Sequence, residues 1–540
     1  NRTYDSEGNC TRITSSLGAD IRHTYDREGN LQTMQAGESW QASWVRDNTG
    51  LEVQRTFSGG VTVRTERDCF GREVHKSVRS GGIEKGAYRY QWGIANRLLS
   101  KENDLTGTVT RYDYDRFDFL IRQETMQGSE TDVIYRVPDF VGNLFETPDK
   151  KDRKYGAGGK LLEDQDCFYH YDDEGNLIFR EFKQLQETGV RFDRKRMEKE
   201  RGIHFLATGT GWLYEWSSNG MLKKVIRPDG RPVEFRYDAL GRRTAKQYFG
   251  KVTRWVWDGN VPIHEWGYKV TDMQPDEEEN TSSKEPTENI TTWVFEAGTF
   301  IPTAKIQDGK QYSIVSDYLG TPIQMYDEKE NKTWDCTLDI YGKVATFEGR
   351  SLNDCPFRFQ GQYEDEETGL YYNRFRYYIS EIGGYLNQDL IGLTGNNLIF
   401  YNYVKNPNTW IDIFGLFSDL KPTGDGHHLF PRAIGDKLGI RDIIEKVSWY
   451  PNVSKNTASL HQELHAKLRE SGIPIHGSQY QGTIEQALDA MDNAYKSFDT
   501  KGYLMIDGKR YDNLTPSEAM VKVRQHVENK IKVKNKLTHH

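Results

Sequence analysis

Tyr4-Asp5-Ser6-Glu7-Gly8-Asn9 is followed, 21 residues on, by Tyr25-Asp26-Arg27-Glu28-Gly29-Asn30. The same 21-residue step carries the aspartate to Asp47 and Asp68 and the glycine to Gly50 and Gly71. Further copies read Tyr171-Asp172-Asp173-Glu174-Gly175-Asn176 and Tyr237-Asp238-Ala239-Leu240-Gly241-Arg242. A fixed period of this size marks a repeat architecture. Asp caps a tight turn with its carboxylate, and Gly takes the positive φ that closes it. Between turns, alternating stretches such as Thr253-Arg254-Trp255-Val256-Trp257 predict strands. Each unit is then a β-hairpin stacked on its neighbours in one long sheet.

Composition agrees. The 540 residues include 31 Tyr, 24 Phe, 12 Trp and 50 Gly against 16 Pro, which favours many short strands and turns. This is too long for one core, so at least two domains are expected. No apolar run is long enough to span a bilayer as a helix, so no stable membrane insertion is expected of this stretch. It begins at Asn1, without Met and inside a repeat, and reads as a fragment with no visible signal peptide. Cys10, Cys69, Cys167, Cys336 and Cys355 are scattered, forming neither a metal pair nor a disulfide framework, which suits synthesis in a reducing compartment. Residues 271–292 are acidic and poor in apolar side chains, and read as a disordered loop.

Outward from the repeats, charge divides the chain. Residues 1–416 hold 54 Lys and Arg against 65 Asp and Glu, whereas residues 417–540 hold 18 against 15. Eight of the 13 histidines fall in that last segment, though His539 and His540 have the look of a tag. An acidic body with a mildly basic, His-rich tail fits a tail that meets nucleic acid.

The repeats resemble the YD repeats of the Rhs family, shared with teneurins and the C subunits of insecticidal toxin complexes. The resemblance implies a mainly β fold in which residues 1–350 wind into a hollow shell. Repeats alone also fit an adhesion propeller or solenoid. Residues 351–416, running from Pro356-Phe357-Arg358-Phe359 through Gly384-Tyr385-Leu386-Asn387-Gln388-Asp389 to Asp412-Ile413-Phe414-Gly415-Leu416, resemble the Rhs-associated core. By that resemblance the core closes the shell, Asp389 and Asp412 are a catalytic pair, and the Leu416–Phe417 bond is cut. Two carboxylates held close cannot both ionise easily, so one keeps a proton while the other activates water. The family has Pro after each of these aspartates; here Leu390 and Ile413 stand instead, which leaves the local turn less constrained. Arg374 or Arg376 could support a carboxylate or equally face solvent.

Residues 417–540 carry no repeat. They contain Gly426-His427-His428, then Asn452 and Asn456, then His461-Gln462-Glu463-Leu464-His465. His461 and His465 are four apart on a predicted helix, so both imidazoles share one face and can reach one ion. Leu460, Leu464 and Leu468 form an adjacent apolar stripe. The constellation resembles the HNH, or ββα-metal, nucleases of the Gly-His-His subset, a small α+β domain. That resemblance implies His427, His461 and His465 as metal ligands, and His428 as general base. Asn452 would orient His428, with Asn456 as the fallback. The cofactor would be one divalent metal ion. Zn, Ni, Mg and Mn are the candidates, and three imidazoles suit Zn, Ni or Co better than Mg. A structural zinc site would use the same residues. His476 and His526 lie outside the spacing and read as ordinary surface or core residues. Helices are predicted over 484–498 and 516–534, with a hairpin over 503–511 between them. Lys522, Arg524, Lys530, Lys532 and Lys534 on the last helix could follow a phosphate backbone or be a solvated face.

The resulting expectation is an antibacterial toxin whose shell encloses a DNase and releases it by aspartyl autoproteolysis. The implied partners are DNA, a cognate immunity protein and a type VI secretion component (VgrG/PAAR-type or an adaptor). The implied location is secreted, from the producer's cytoplasm into the target's. The competing expectations are a teneurin-like surface or adhesion shell with a non-catalytic tail, and an RNase toxin.

Overall fold

The computed structural model of the chain describes all residues except 28, 49, 273, 276–282, 390–399, 417–437, 439–442, 444–446, 452–463, 465–466, 469, 474–480, 500, 507–508 and 538–540. Contacts divide it into two compact units, Asn1–Asp419 and Leu420–His540.

The repeat chemistry has two parts, both acting at the turns. In the first unit Asp5 Oδ1 accepts from the backbone N–H of Glu7 at 3.0 Å and of Asn9 at 2.8 Å, while Asn9 Nδ2 donates to Oδ2 at 3.0 Å. Gly8, at φ +89°, closes the turn. Asp172 with Asn176, Asp327 with Asn331 and Asp238 with Arg242 repeat the arrangement. One carboxylate thus satisfies backbone donors that the turn withdraws from the ladder. The residue before the aspartate does the complementary work. Tyr25 Oη donates to Cys10 O at 2.8 Å, Tyr114 to Leu98 O at 2.8 Å and Tyr237 to Leu222 O at 2.7 Å. Trp257, before Asp258, does the same with its indole N–H to Arg243 O, and Trp92, which precedes Gly93, does so to Glu73 O. In each case the acceptor is the first residue of the neighbouring strand, at the sheet rim.

The strands follow one another as antiparallel neighbours in chain order, but in two large sheets rather than the single one expected. Thirteen strands run from Arg2–Tyr4 to Glu130–Tyr135, and sixteen from Lys154–Tyr155 to Val344–Gly349. At the break, residues from later in the chain bond to the end of the first sheet. Leu120 N donates to Lys405 O at 3.0 Å, and the buried Arg136 guanidinium donates to Lys405 O at 3.0 Å and Val404 O at 2.6 Å. The stretch 271–292 is not all loop, because Gln274–Pro275 pairs with Ser283–Lys284 and the strand Thr291–Phe295 begins inside it.

The two sheets share an apolar core, with Met34, Trp40 and Val78 from the first against Val294, Ala304 and Tyr326 from the second. Polar bonds cross the same interface. Trp40 Nε1 donates to Ser313 Oγ at 3.1 Å, and Lys76 Nζ to Ser316 O at 2.9 Å. Arg55 pairs with Glu296 at 2.9 Å. The buried His264 lies between Ser15 Oγ at 2.5 Å and Thr292 Oγ1 at 3.1 Å.

The described residues of 355–416 form a cap on the glycine-turn rim. Its small sheet comprises Tyr363–Asp365, Leu370–Asn373, Arg376–Ile379 and Gly384–Tyr385. Its side chains take carbonyls from the turns themselves. Tyr401 Oη donates to Gly175 O, Asn402 to Gly142 O, Tyr371 to Gly342 O and Arg374 to Leu240 O. A buried ion cluster fixes the contact: Asp365 accepts from Arg243 at 2.5 Å and Lys246 at 3.0 Å, and Lys246 also reaches Glu367 at 2.5 Å. The Arg243 guanidinium lies 4.4 Å from the Trp255 ring centre and 4.6 Å from that of Tyr372.

The second unit has its own core, in which Leu464, Leu468, Leu488, Met491, Leu504 and Val523 are buried together. Helix Ile484–Tyr495 starts with a capping box, Thr483 with Gln486, as an amphipathic helix should. Strands Val447–Pro451, Gly502–Ile506 and Lys509–Leu514 form an antiparallel sheet, and Pro516–Leu537 is the last helix. These match the predicted helix, hairpin and helix, and two members of the predicted leucine stripe, Leu464 and Leu468, face the core.

Candidate active site beneath the exit of the cap

The two aspartates singled out in the sequence, 23 positions apart, meet on one guanidinium. Arg376 Nη2 lies 3.2 Å from Asp389 Oδ2 and 3.0 Å from Asp412 Oδ2. All three side chains are shut from solvent: Arg376 is 1% exposed, Asp412 2% and Asp389 9%. Arg376 comes from the third strand of the cap sheet, Asp389 follows the fourth, and Asp412 precedes the exit of the chain.

The supporting contacts converge on Asp412. Tyr385 Oη donates to Asp412 Oδ2 at 2.8 Å, and the backbone N–H of Leu416 donates to Oδ1 at 2.9 Å. Asn373 Nδ2 donates to Asp412 O and to Tyr385 Oη, both at 2.8 Å. Arg376 spreads its remaining donors over the backbone, Nε to Gly415 O and Nη1 to Phe400 O at 3.1 Å. Its guanidinium carbon lies 3.7 Å from the centre of the Tyr385 ring. The Asp389 backbone N–H donates to the same Phe400 carbonyl at 2.9 Å, so one carbonyl holds both Asp389 and Arg376.

Burial pushes the Asp412 carboxyl above its ordinary value, and nearby Asp389 pushes the same way. Arg376, Tyr385 and the Leu416 N–H act against that rise without cancelling it. A buried carboxyl raised in this way, beside a second carboxylate on the same cation, favours holding its proton. Such a pair offers an acid and a base at the peptide leaving the cap.

Sequence reasoning paired Asp389 with Asp412 and left Arg374 and Arg376 unassigned. Arg376 bridges the aspartates, whereas Arg374 holds the Leu240 carbonyl of a rim turn at 2.9 Å. Asn373 and Tyr385 were not foreseen. Their polar ends are turned inward by strand pairing, which a tyrosine-rich sequence does not distinguish from packing.

Leu416 is half-buried at the end of the segment 412–416, and Phe417 lies outside the described residues. So do His427, His428, Asn452, Asn456, His461, His465 and His476. Among the described residues, His526 Nε2 contacts Ile443 O at 3.0 Å, a packing role. Arg524 is ion-paired to Asp489 at 2.7 Å and Asp492 at 2.5 Å, as on a solvated helix face. Lys522 Nζ lies 4.8 Å from the Tyr511 ring centre.

Residues 144–409 match the Teneurin YD-shell family. The chain is 30% identical over 419 residues to the double-stranded DNA deaminase toxin A of Burkholderia cenocepacia, covering 72% of this chain and 27% of that protein. It is 27% identical to the probable deoxyribonuclease RhsB of Dickeya dadantii, covering 77% of this chain and 27% of that one. It is also 27% identical to toxin protein Tse5 of Pseudomonas aeruginosa, covering 78% and 36%. The chain therefore spans about a quarter to a third of the curated relatives it matches. Among solved structures, that of TcdB2-TccC3-TEV aligns at 18% identity with a TM-score of 0.37, over 76% of this chain and 24% of that one.

Proposed function

We propose that this chain is part of an Rhs-type toxin in which a YD shell encloses a C-terminal nuclease and frees it by self-cleavage after Leu416. The observation that supports this reading best is the buried Asp389–Arg376–Asp412 cluster directly under the segment that leaves the cap. Its position at the end of the first compact unit suits a cut that separates two domains. Similarity to toxins, two of them named as acting on DNA, supports a DNA-directed cargo.

In this reading the aspartate pair holds one proton. The ionised partner takes a proton from water as the water adds to the Leu416 carbonyl carbon. The protonated partner serves the carbonyl oxygen. Collapse breaks the bond to the Phe417 nitrogen, which leaves as an amine with the proton the first aspartate took from water; the second aspartate takes back its proton from the oxygen, and Leu416 keeps the new carboxyl group. Arg376 holds both carboxylates in place throughout.

The released tail would hydrolyse DNA. His428 would take the proton from the attacking water, and Asn452 would orient it. His427, His461 and His465 would hold a divalent ion that stabilises charge on the phosphate. This part rests on the spacing of those residues in the sequence. An immunity protein and a secretion component of the type VI kind would complete the system. The match to teneurin shells carries the other reading, an adhesion shell with an inert tail, in which the buried aspartate pair has no evident task.

The test is a denaturing gel of the full chain beside Asp389→Asn and Asp412→Asn, with the tail assayed on plasmid DNA and on RNA. A split after residue 416 in the parent alone, with plasmid degraded, supports the proposal. A split chain whose tail spares DNA and degrades RNA would move the substrate. An uncut parent chain would remove the protease.

A further inference from the structure

The exit segment Asp412–Leu416 is bound by the cap largely through its backbone. Asn373 Nδ2 takes the Asp412 carbonyl, the Phe375 N–H takes the Phe414 carbonyl at 3.2 Å, and Arg376 Nε takes the Gly415 carbonyl. These donors all come from the two-residue turn at Arg374–Phe375 and its flanking pair, Asn373 and Arg376. Arg374 itself sits at φ +58°, an uncommon conformation for a residue with a side chain. On the opposite side, a Cβ at Gly361 would overlap the Ile413 carbonyl. The segment is therefore threaded between the Asn373–Arg376 turn and Gly361.

Backbone bonds do not read side chains, but two positions of the segment are sensitive to them. Gly415 has φ +61°, and a Cβ there would stand 2.5 Å from Asn373 O and 3.2 Å from both Cβ and N of Arg376. Any other residue would push on the turn that carries Arg376. Phe414 packs edge-on against Phe300, with ring centres 5.5 Å apart. It borders an apolar cavity lined also by Trp257, Pro302, Phe357 and Tyr372.

We propose that self-cleavage selects its substrate at two positions ahead of the cut, Gly415 by conformation and Phe414 by an apolar slot, with the Asn373–Arg376 turn as the reading element. This rests on the self-cleavage reading above. The selected substrate is thus a peptide with a large apolar residue and then glycine, presented to the aspartate pair in one register. Asn373, Gly361 and Phe300 are positioning residues, since they touch the segment rather than the reacting bond.

The experiment is a cell-free translation time course of the full chain, read by denaturing gel. Mass spectrometry assigns the new ends, and thermal melting reports folding. Gly415→Ala is expected to slow the split at least tenfold. Phe414→Ala is expected to slow it by a similar factor, and Phe414→Leu to recover a large part of the Phe414→Ala loss. Splitting of Gly415→Ala or Phe414→Ala at the parent rate, after Leu416, would overturn this proposal and leave the aspartate pair standing. If Gly415→Ala melts early, the Phe414 series decides, because equal rates for Ala and Leu there would also overturn it. A parent chain that never splits removes the self-cleavage reading and this proposal with it.

Discussion

Leu416 donates its backbone N–H to the carboxylate of Asp412 four residues earlier, at 2.9 Å. The last described residue of the cap is thereby folded back onto the more deeply buried of the two aspartates. The exit path of the chain is part of the carboxylate's own hydrogen-bond set, so a change in either is felt by the other.

Self-cleavage should fall as pH rises through the raised pKa of Asp412, because the pair then loses its shared proton. Tyr385 donates to Asp412 and favours its ionised form. Tyr385→Phe removes that donor, so the Asp412 pKa rises further and the alkaline limb moves to higher pH. A pH profile of splitting for both chains checks this.

Arg376 compensates two buried carboxylates at once. Arg376→Met should abolish splitting and cost about 3–5 kcal/mol, the usual penalty for leaving buried charge unpaired. Urea unfolding of the Asp412→Asn chain with and without the second change measures the cost without interference from cleavage, and part of it should be relieved there.

Burial alone would raise the Asp365 carboxyl, but Arg243 and Lys246 overcome it and hold the group below the ordinary carboxylate range. A depressed folded pKa gives stability that is present above the unfolded value and lost as pH falls through the folded one. Asp365→Asn should therefore lower the melting temperature at neutral pH and shrink that difference in strong acid. Melting curves from pH 7 downward test it.

His264 works with the opposite charge sign. Burial pushes its pKa down to about 4. The unfolded chain binds the proton near the ordinary imidazole pKa of about 6.5 and the folded chain does not. Stability from this site is full above that value, declines as pH falls, and stops declining near pH 4. The total is about 3 kcal/mol at most. His264→Gln, which keeps hydrogen-bonding partners for Ser15 and Thr292, should remove this slope in denaturation measured between pH 7 and pH 4.

For the tail, His428→Ala should lower plasmid cleavage by about 10²–10⁴-fold, the range for a general base. A chelator should stop cleavage, and adding back divalent ions singly should rank them. A plasmid-nicking time course checks both.

Much of the first unit was already decided by its sequence. The 21-residue step, the Asp-to-Gly turn and the preceding Tyr or Trp are local chemistry, and local chemistry is visible without coordinates: Asp5 bonds its own turn, and Tyr25 reaches only to the next strand. The helices at 484–495 and 516–537 were legible too, the first from its amphipathic spacing, with ends within a few residues of those predicted. Tertiary structure alone decided the rest. That the repeats form two sheets, and that Arg136 after the first meets the carbonyls of Val404 and Lys405 some 270 residues away, are long-range outcomes. Whether Asp389 and Asp412 act together depends on Arg376, and whether Arg376 or Arg374 fills that role depends on which way each side of a hairpin turn faces. Spacing in a chain reports which groups are neighbours along it; burial, which makes two carboxylates compete for one proton, is a property of the packed molecule.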